Sequence, residues 1–272
     1  MKKKFILVPD IHGCDFWKKA LPFVDGCERV IFLGDYHDPY SHEGISKADS
    51  IQNFMDIIEF AKQHPDKVEL LLGNHDLSYY NRGKGDNWSV GSDRFDWDNQ
   101  STLRSLFRTN HELFRMAAYV ECPEGIHKFL FSHAGVNPGW LKGWNLIKDY
   151  NPTETPAEAV FIHIDNLFQA ADEKFIESLG DVSHYRGGYT PYGSMVWADC
   201  DEFNTTPETP YIQVFGHTQQ LNFVGTNIFD QKWEPGKPKV LGDNNVCLDC
   251  HQCFFIDENG DIRNLETEEK IF

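Results

Sequence analysis

Short apolar runs punctuate the N-terminal third of the chain at residues 5–8, 29–33 and 67–72, and each stops abruptly at a polar cluster. Runs of this length, bounded by Gly, Asp and Asn, predict buried strands. The clusters read Asp10-Ile11-His12-Gly13, Gly34-Asp35-Tyr36-His37-Asp38 and Gly73-Asn74-His75-Asp76. Between the runs the apolar positions take helical spacing near 15–23 and over 46–63, the second stopped by His64-Pro65. Strand, helix, strand at this spacing predicts βαβ units and a mostly parallel sheet. Ligands of such sheets collect at the carboxyl ends of strands, where all three clusters fall.

A helix is expected over 101–118, with an apolar stripe through Leu103, Leu106, Phe107, Leu113 and Phe114. Strands near 119–122 and 127–132 follow, joined by a turn at Pro123-Glu124-Gly125, and the second runs straight into His133-Ala134-Gly135. Residues 138–195 are rich in Pro, Gly and Trp and carry one helical pattern, near 156–171. They read as a cap-like insertion closing over the site within a single domain, 1–272. Strand patterns resume at 211–215, ending in Gly216-His217-Thr218, and continue at 221–228 and 246–256, with a turn at Glu258-Asn259-Gly260.

Charge narrows the partners. Forty-two acidic against 25 basic residues give a formal net charge of −17, which repels polyanions, so no long nucleic acid is expected on the general surface. No stretch approaches a membrane span. The apolar run after the opening lysines is too short for a signal sequence, and seven cysteines are an odd number for a disulfide framework. A reduced, cytoplasmic setting is the expectation.

Five polar clusters thus follow apolar runs: Asp10/His12, Asp35/Asp38, Asn74/His75/Asp76, His133 and His217. One such cluster alone is an ordinary turn or helix cap; five in succession point to metal ligation. Carboxylate, amide oxygen and imidazole suit manganese, iron or zinc better than soft metals.

Asp-x-His-Gly, Gly-Asp-x-x-Asp, Gly-Asn-His-Asp, Ser-His-Ala-Gly and Gly-His-Thr, in this order, resemble the five signatures of the calcineurin-like metallophosphoesterases. Within that superfamily the chain is most similar to the phosphoprotein (Ser/Thr) phosphatase branch. The resemblance implies an α/β fold, a four-layer β-sandwich flanked by helices, with the metal site at strand ends. It implies two divalent metal ions, manganese first, with iron or zinc also suited. Asp10 and His12 would hold one ion, Asp35 would bridge, and Asn74, His133 and His217 would complete the other. It implies phosphomonoester hydrolysis by in-line attack of hydroxide held between the ions, on a phosphoprotein or small phosphoester. His75 would be the general acid, oriented by Asp38; the plainer reading of Asp38 is a turn cap before Pro39.

Two departures stand out. Pro9 occupies a position where many relatives have Gly. Pro39 stands where protein phosphatases carry a phosphate-gripping Arg. Arg186, in His184-Tyr185-Arg186-Gly187-Gly188, is the preferred substitute, though it also reads as a solvated loop arginine, and Arg82, in a Gly-rich segment, is the second. The Cys247-x2-Cys250-x2-Cys253 spacing invites a metal reading but lacks a fourth cysteine nearby, and the segment reads as a strand pair with Asp249-Cys250 in a closing turn similar to the family's, so buried thiols are expected. Trp140, Trp144, Tyr185, Tyr189, Tyr192 and Trp197 line a substrate groove or form a small core of the insertion, and His37 and His42 are not taken as ligands. Alternative functions are a dinucleoside polyphosphate or nucleotide hydrolase and, in a different class, a catalytically silent binding scaffold.

Overall fold

The first three apolar runs form strands β1 (Lys3–Val8), β2 (Arg29–Phe32) and β3 (Val68–Leu71) of a computed structural model that describes residues 2–80, 94–122, 127–224 and 232–272. They pair in parallel, Phe5 opposite Arg29 and Val30 opposite Val68. Phe5, Leu7 and Ile31 face one hydrophobic core, while Ile6, Val8, Val30 and Phe32 face another. Burial on both faces is why these strands read as continuous apolar runs and not as alternating patterns.

Helix α1 (Lys47–Gln63) starts at Ser46, whose side chain accepts the Asp49 amide at 3.1 Å, a cap worth about 1 kcal/mol. Its buried Phe54, Ile57, Ile58 and Ala61 repeat at helical spacing and pack on the β1–β3 sheet. The helical segment after β1 is a 3-10 helix, Phe16–Gly26, with Pro22 inside it. The ring of a proline inside an α-helix clashes with the carbonyl four residues back, which disfavours the α form here.

After α2 (Asn74–Tyr80), the helix expected over 101–118 is only α3 (Gln100–Thr109). Thr109 Oγ1 donates to Ser105 O and Asn110 Nδ2 to Leu106 O, both at 2.7 Å. Asn110 Nδ2, and Thr109 Oγ1 at 3.4 Å, thereby take the Leu106 carbonyl that a further turn would need. Leu113 lies in a 3-10 turn, and Phe114 opens β4 (Phe114–Arg115), followed by β5 (Ala117–Glu121) and β6 (Lys128–Ser132).

Helices α4 (Pro138–Gly143), α5 (Ala157–Gln169) and α6 (Glu173–Ser178) lie between β6 and β7 (Ile212–Phe215). The remaining strands are β8 (Leu221–Val224), β9 (Lys232–Pro235), β10 (Lys239–Leu241), β11 (Asn245–Cys247), β12 (Phe254–Asp257) and β13 (Ile262–Asn264). One sheet has the order β13-β12-β1-β2-β3-β4 and a second β10-β11-β7-β6-β5, with β8-β9 a separate ribbon. The apolar stretch 246–256 is therefore two strands in different sheets, separated at Asp249-Cys250. The turn at Pro123-Glu124-Gly125 and residues 225–228 of the expected strand lie outside the described residues.

Phe5, Leu7 and Ile31 of the first sheet meet Phe129, Phe131, Val214 and Val246 of the second in one core. Helices cover both sandwiched sheets, α1 and α3 on the first and α5 on the second, where Val160 and Ile164 share a core with Leu130. Trp140 is buried, donates to Ser178 O at 3.1 Å and belongs to the same core as Ile6 and Val8, so the aromatics of 138–195 do not form a small core of their own. All seven cysteines are free, and Cys247, Cys250 and Cys253 are buried.

Candidate active site

Three of the five polar clusters, those after β1, β2 and β7, leave their strands through a sharp reversal. Among the described residues nine non-glycine positions have positive φ, and four are His12 (+44°), Asp35 (+53°), Asp38 (+61°) and His217 (+67°). Such conformations disfavour side chains with a Cβ and persist where surrounding contacts over-determine them. They turn the carboxylates and imidazoles at the ends of β1, β2 and β7 towards one point. Glycines make room there: a Cβ at Gly73 would collide with Asp35 Oδ1, and one at Gly216 with Asp10 Oδ1.

The ring nitrogens are arranged to receive a cation. His12 Nδ1 lies 3.1 Å from His37 O, and His133 Nδ1 lies 2.8 Å from Leu33 O. A carbonyl only accepts, so each ring carries its proton on Nδ1 and, when neutral, a lone pair on Nε2. Both Nε2 atoms face Asp35 Oδ2 at 3.5 Å. His133 Nε2 is also 3.0 Å from Asn74 Oδ1 and 3.0 Å from His217 Nδ1. His217 Nε2 is buried with no hydrogen-bond partner. Acceptor facing acceptor is repulsive unless a cation lies between them, and a second ring nitrogen bound to a carbonyl is the usual support of a metal-ligating histidine.

Electrostatics agree. Burial drives the His12 and His217 rings well below the usual imidazole range, keeping them neutral as ligands must be. Burial, then the Asp249 charge, pushes Asp10 up; burial, then Asp35, pushes Asp76 and Asp249 to about 8. Asp35 is instead held down, to about 2: burial opposes its charge, but His133, His75 and His12 outweigh it. The residues present fit divalent cations.

Beside this cluster stands a hydrogen-bonded chain. His75 Nδ1 is 2.7 Å from Asp38 Oδ2, and Tyr79 OH donates to Asp38 Oδ1 at 2.6 Å. The Tyr79 hydroxyl accepts the Asp96 amide at 2.6 Å, and His37 bridges Asp96 Oδ2 (3.2 Å) and Ser50 Oγ (2.8 Å). Burial lowers the His75 affinity for a proton, but Asp35 and Asp38 more than offset it and leave the ring above its ordinary value. Asp76 braces the loops, its carboxylate accepting the amides of Asp35, Gly73 and Tyr36 at 2.7, 2.8 and 3.0 Å.

Two arginines flank the centre. Arg94 Nη1 donates to Asp38 O at 2.7 Å, its Nη2 lies 3.0 Å from His75 Nε2, and its guanidinium stacks 3.5 Å above the Tyr40 ring. Sequence reasoning missed it, because it follows a Gly-rich stretch without periodicity. Arg186 donates through Nη2 to Thr218 Oγ1 (2.9 Å) and His217 O (3.2 Å), with Nε 3.4 Å from Asp199 Oδ2. Arg82 lies outside the described residues. Tyr79 was also missed, though its place four residues after His75 on α2 put it on the same helix face.

His12, Asp35 and His75, and separately Asp35, His133 and His217, present ligand atoms within 4.8 Å of one another. A family model described as calcineurin-like phosphoesterase matches residues 3–221, a span that holds all five clusters. The chain belongs to the calcineurin-like phosphoesterase family. This phosphoesterase is a metal-dependent phosphoester hydrolase of a family that uses divalent metal ions. Among solved structures it is similar to the phosphatase domain of the Legionella effector WipB, at 16% identity over 58% of each chain with a TM-score of 0.38. A hypothetical protein of Pyrococcus horikoshii is similar at 9% identity, covering 98% of this chain and 85% of that one, TM-score 0.36. A metallophosphoesterase from Sphaerobacter thermophilus is similar at 10% identity, over 99% and 88%, TM-score 0.33. No curated protein matches the sequence. Among the described residues no helix is long and apolar enough to cross a membrane.

Proposed function

We propose that this phosphoesterase is a two-metal phosphomonoesterase resembling the Ser/Thr protein phosphatases. The observation that carries the reading is the pair of lone-pair nitrogens, His12 Nε2 and His133 Nε2, each 3.5 Å from the same oxygen of Asp35. Asp10, His12 and Asp35 would hold one cation, and Asp35, Asn74, His133 and His217 the other. Manganese suits these O/N donors, and iron or zinc is also compatible. When bound, the pair supplies positive charge for phosphoryl oxygens and a water acidified towards neutrality.

The chain's own residues do the rest. When Arg94, which in this structure donates to His75 Nε2 at 3.0 Å, turns to the phosphoryl oxygens, that nitrogen takes up the proton that His75 gives to the leaving oxygen, and Asp38 fixes the ring by holding Nδ1 at 2.7 Å. Arg94, beside that Nε2, stands where the arginine missing at Pro39 would be needed, and its guanidinium grips phosphoryl oxygens. Arg186 lies against the Gly216-His217-Thr218 loop and offers a second cation to the substrate. His75 is only 6% exposed, so proton delivery takes place largely out of bulk water.

A second reading, hydrolysis of dinucleoside polyphosphates or nucleotides, is favoured by Tyr185 and Tyr189. Both are exposed and flank the Arg186 turn, where a base would stack. The test is a pair of specificity constants, for a phosphoserine peptide and diadenosine tetraphosphate, under one manganese condition. The peptide is expected to be the better substrate. A dinucleotide preference of tenfold or more, about 1.4 kcal/mol in transition-state stabilisation, replaces the first reading with the second.

A further inference from the structure

We propose that Cys14, Glu43 and His251 form a separate binding site for a thiophilic divalent cation of the zinc type. Cys14 follows the Asp10/His12 cluster, Glu43 closes a 3-10 turn after β2, and His251 lies in the turn beyond β11. Their ligand atoms all lie within 4.8 Å of one another. Cys14 Sγ is 3.5 Å from Glu43 Oε1, and His251 Nε2 is 3.4 Å from the same oxygen. Tetrahedral zinc with bonds of about 2.0–2.3 Å has ligand–ligand edges of about 3.3–3.8 Å, so both separations are already those of a coordination shell.

His251 supplies the independent sign. Its Nε2 is buried and has no hydrogen-bond partner, although a carboxylate oxygen is near, so the ring is not set to donate to Glu43. The ring stacks on Phe16, centroids 5.8 Å apart, and its backbone is left-handed at φ +56°. Burial, with a smaller push from His42, takes the imidazole down to about 4, which keeps it neutral and fit to ligate. Cys14 and Glu43 also line a cleft of about 620 Å³ whose wall carries Asp15, Asp49 and Asp56 against Lys18. That opening admits a hydrated cation and leaves water for the fourth position. The thiol proton shared with Glu43 leaves to solvent as the Sγ–metal bond forms. Sulfur distinguishes this site from the cluster around Asp35, which has only oxygen and nitrogen donors. A cation here ties together three loops that carry Asp10 and His12, Asp35 and Asp38, and Asp249.

Metal-stripped full-length protein titrated with Co²⁺ tests the site by its thiolate-to-cobalt charge-transfer absorption in the near ultraviolet, a band that oxygen and nitrogen donors do not give. The expected band saturates at one thiolate-bound cobalt per chain and is bleached by Zn²⁺. It disappears in Cys14→Ser and in His251→Gln, and survives in Cys200→Ser. His251→Gln keeps the sulfur, so loss of the band there reports coordination by the cluster; it decides alone if Cys14→Ser does not fold. Absence of the band from the unmodified protein, its persistence in either cluster variant, or its loss in Cys200→Ser overturns the assignment.

Discussion

Asp35 Oδ2 is the oxygen on which two imidazoles converge, and Asp35 is a carboxylate that its surroundings keep ionised, held down to about 2. Asparagine keeps the shape and removes the charge. Asp35→Asn is therefore expected to lower metal content and to cut turnover by roughly 100-fold or more, beyond what losing an outer partner of a ligand costs. Near-normal turnover at limiting Mn²⁺ would sink the bridging role. On the proposed reading Arg94 would act on the substrate and not on the metals, so its loss would have a different signature. Arg94→Ala is expected to lower kcat/KM by about 10–100-fold, the size of a charge-assisted hydrogen bond of about 1.5–3 kcal/mol. Metal content stays intact, and hydrolysis of both nitrophenyl and alkyl phosphates falls. A change below about threefold on both removes Arg94 from the site.

Helix α2 has only seven residues, yet it presents Asn74, His75, Asp76 and Tyr79. Because Asp38 receives His75 on one oxygen and Tyr79 on the other, the helix and the loop after β2 work as one unit. A general acid matters most for a poor leaving group. His75→Asn should therefore impair alkyl phosphate hydrolysis far more than nitrophenyl phosphate hydrolysis, with metal content unchanged. Tyr79→Phe should show the same bias in weaker form, because it loosens the partner of the acid and leaves the acid in place. Its thermal stability should also fall, since the buried Asp96 amide loses its acceptor, a cost of about 1–3 kcal/mol. Equal losses on both substrates in either variant count against this coupling. The elements that carry this unit were readable from sequence because β1, β2 and β3 are buried on both faces and end at Asp10, Asp35 and Asn74. What was not readable had physical causes. Thr109 and Asn110 ended a helix whose apolar stripe continued into a strand. Arg94 reaches the site from a segment with no pattern, and the split of 246–256 between two sheets depends on pairing partners distant in sequence.

At the scale of the whole molecule the electrostatics run in opposite directions at long and short range. The whole chain carries a formal charge of −17, and two divalent cations would bring this only to −13 (−17 + 4). An approaching anion meets that repulsion first, and meets the cations, Arg94 and Arg186 only at the mouth of the site. The long-range field is set by net charge and decays over a Debye length of about 30 Å at 0.01 M salt and about 8 Å at 0.15 M. Raising ionic strength across that interval should therefore raise kcat/KM, and raise it more for the more highly charged substrate. Diadenosine tetraphosphate, with about four charges along its bridge, should gain more than phosphoserine, whose phosphate carries about two. The measurement is kcat/KM for both substrates over that range, with Mn²⁺ held saturating so that metal loss does not mimic the effect. If both constants fall with salt, the local positive field of the site governs capture, and the acidic surface does not select against polyanions. If only the dinucleotide rises, repulsion acts on the extended chain of phosphates, and the proposed preference for monoesters would have its origin in the charge of the whole chain as well as in the shape of the site.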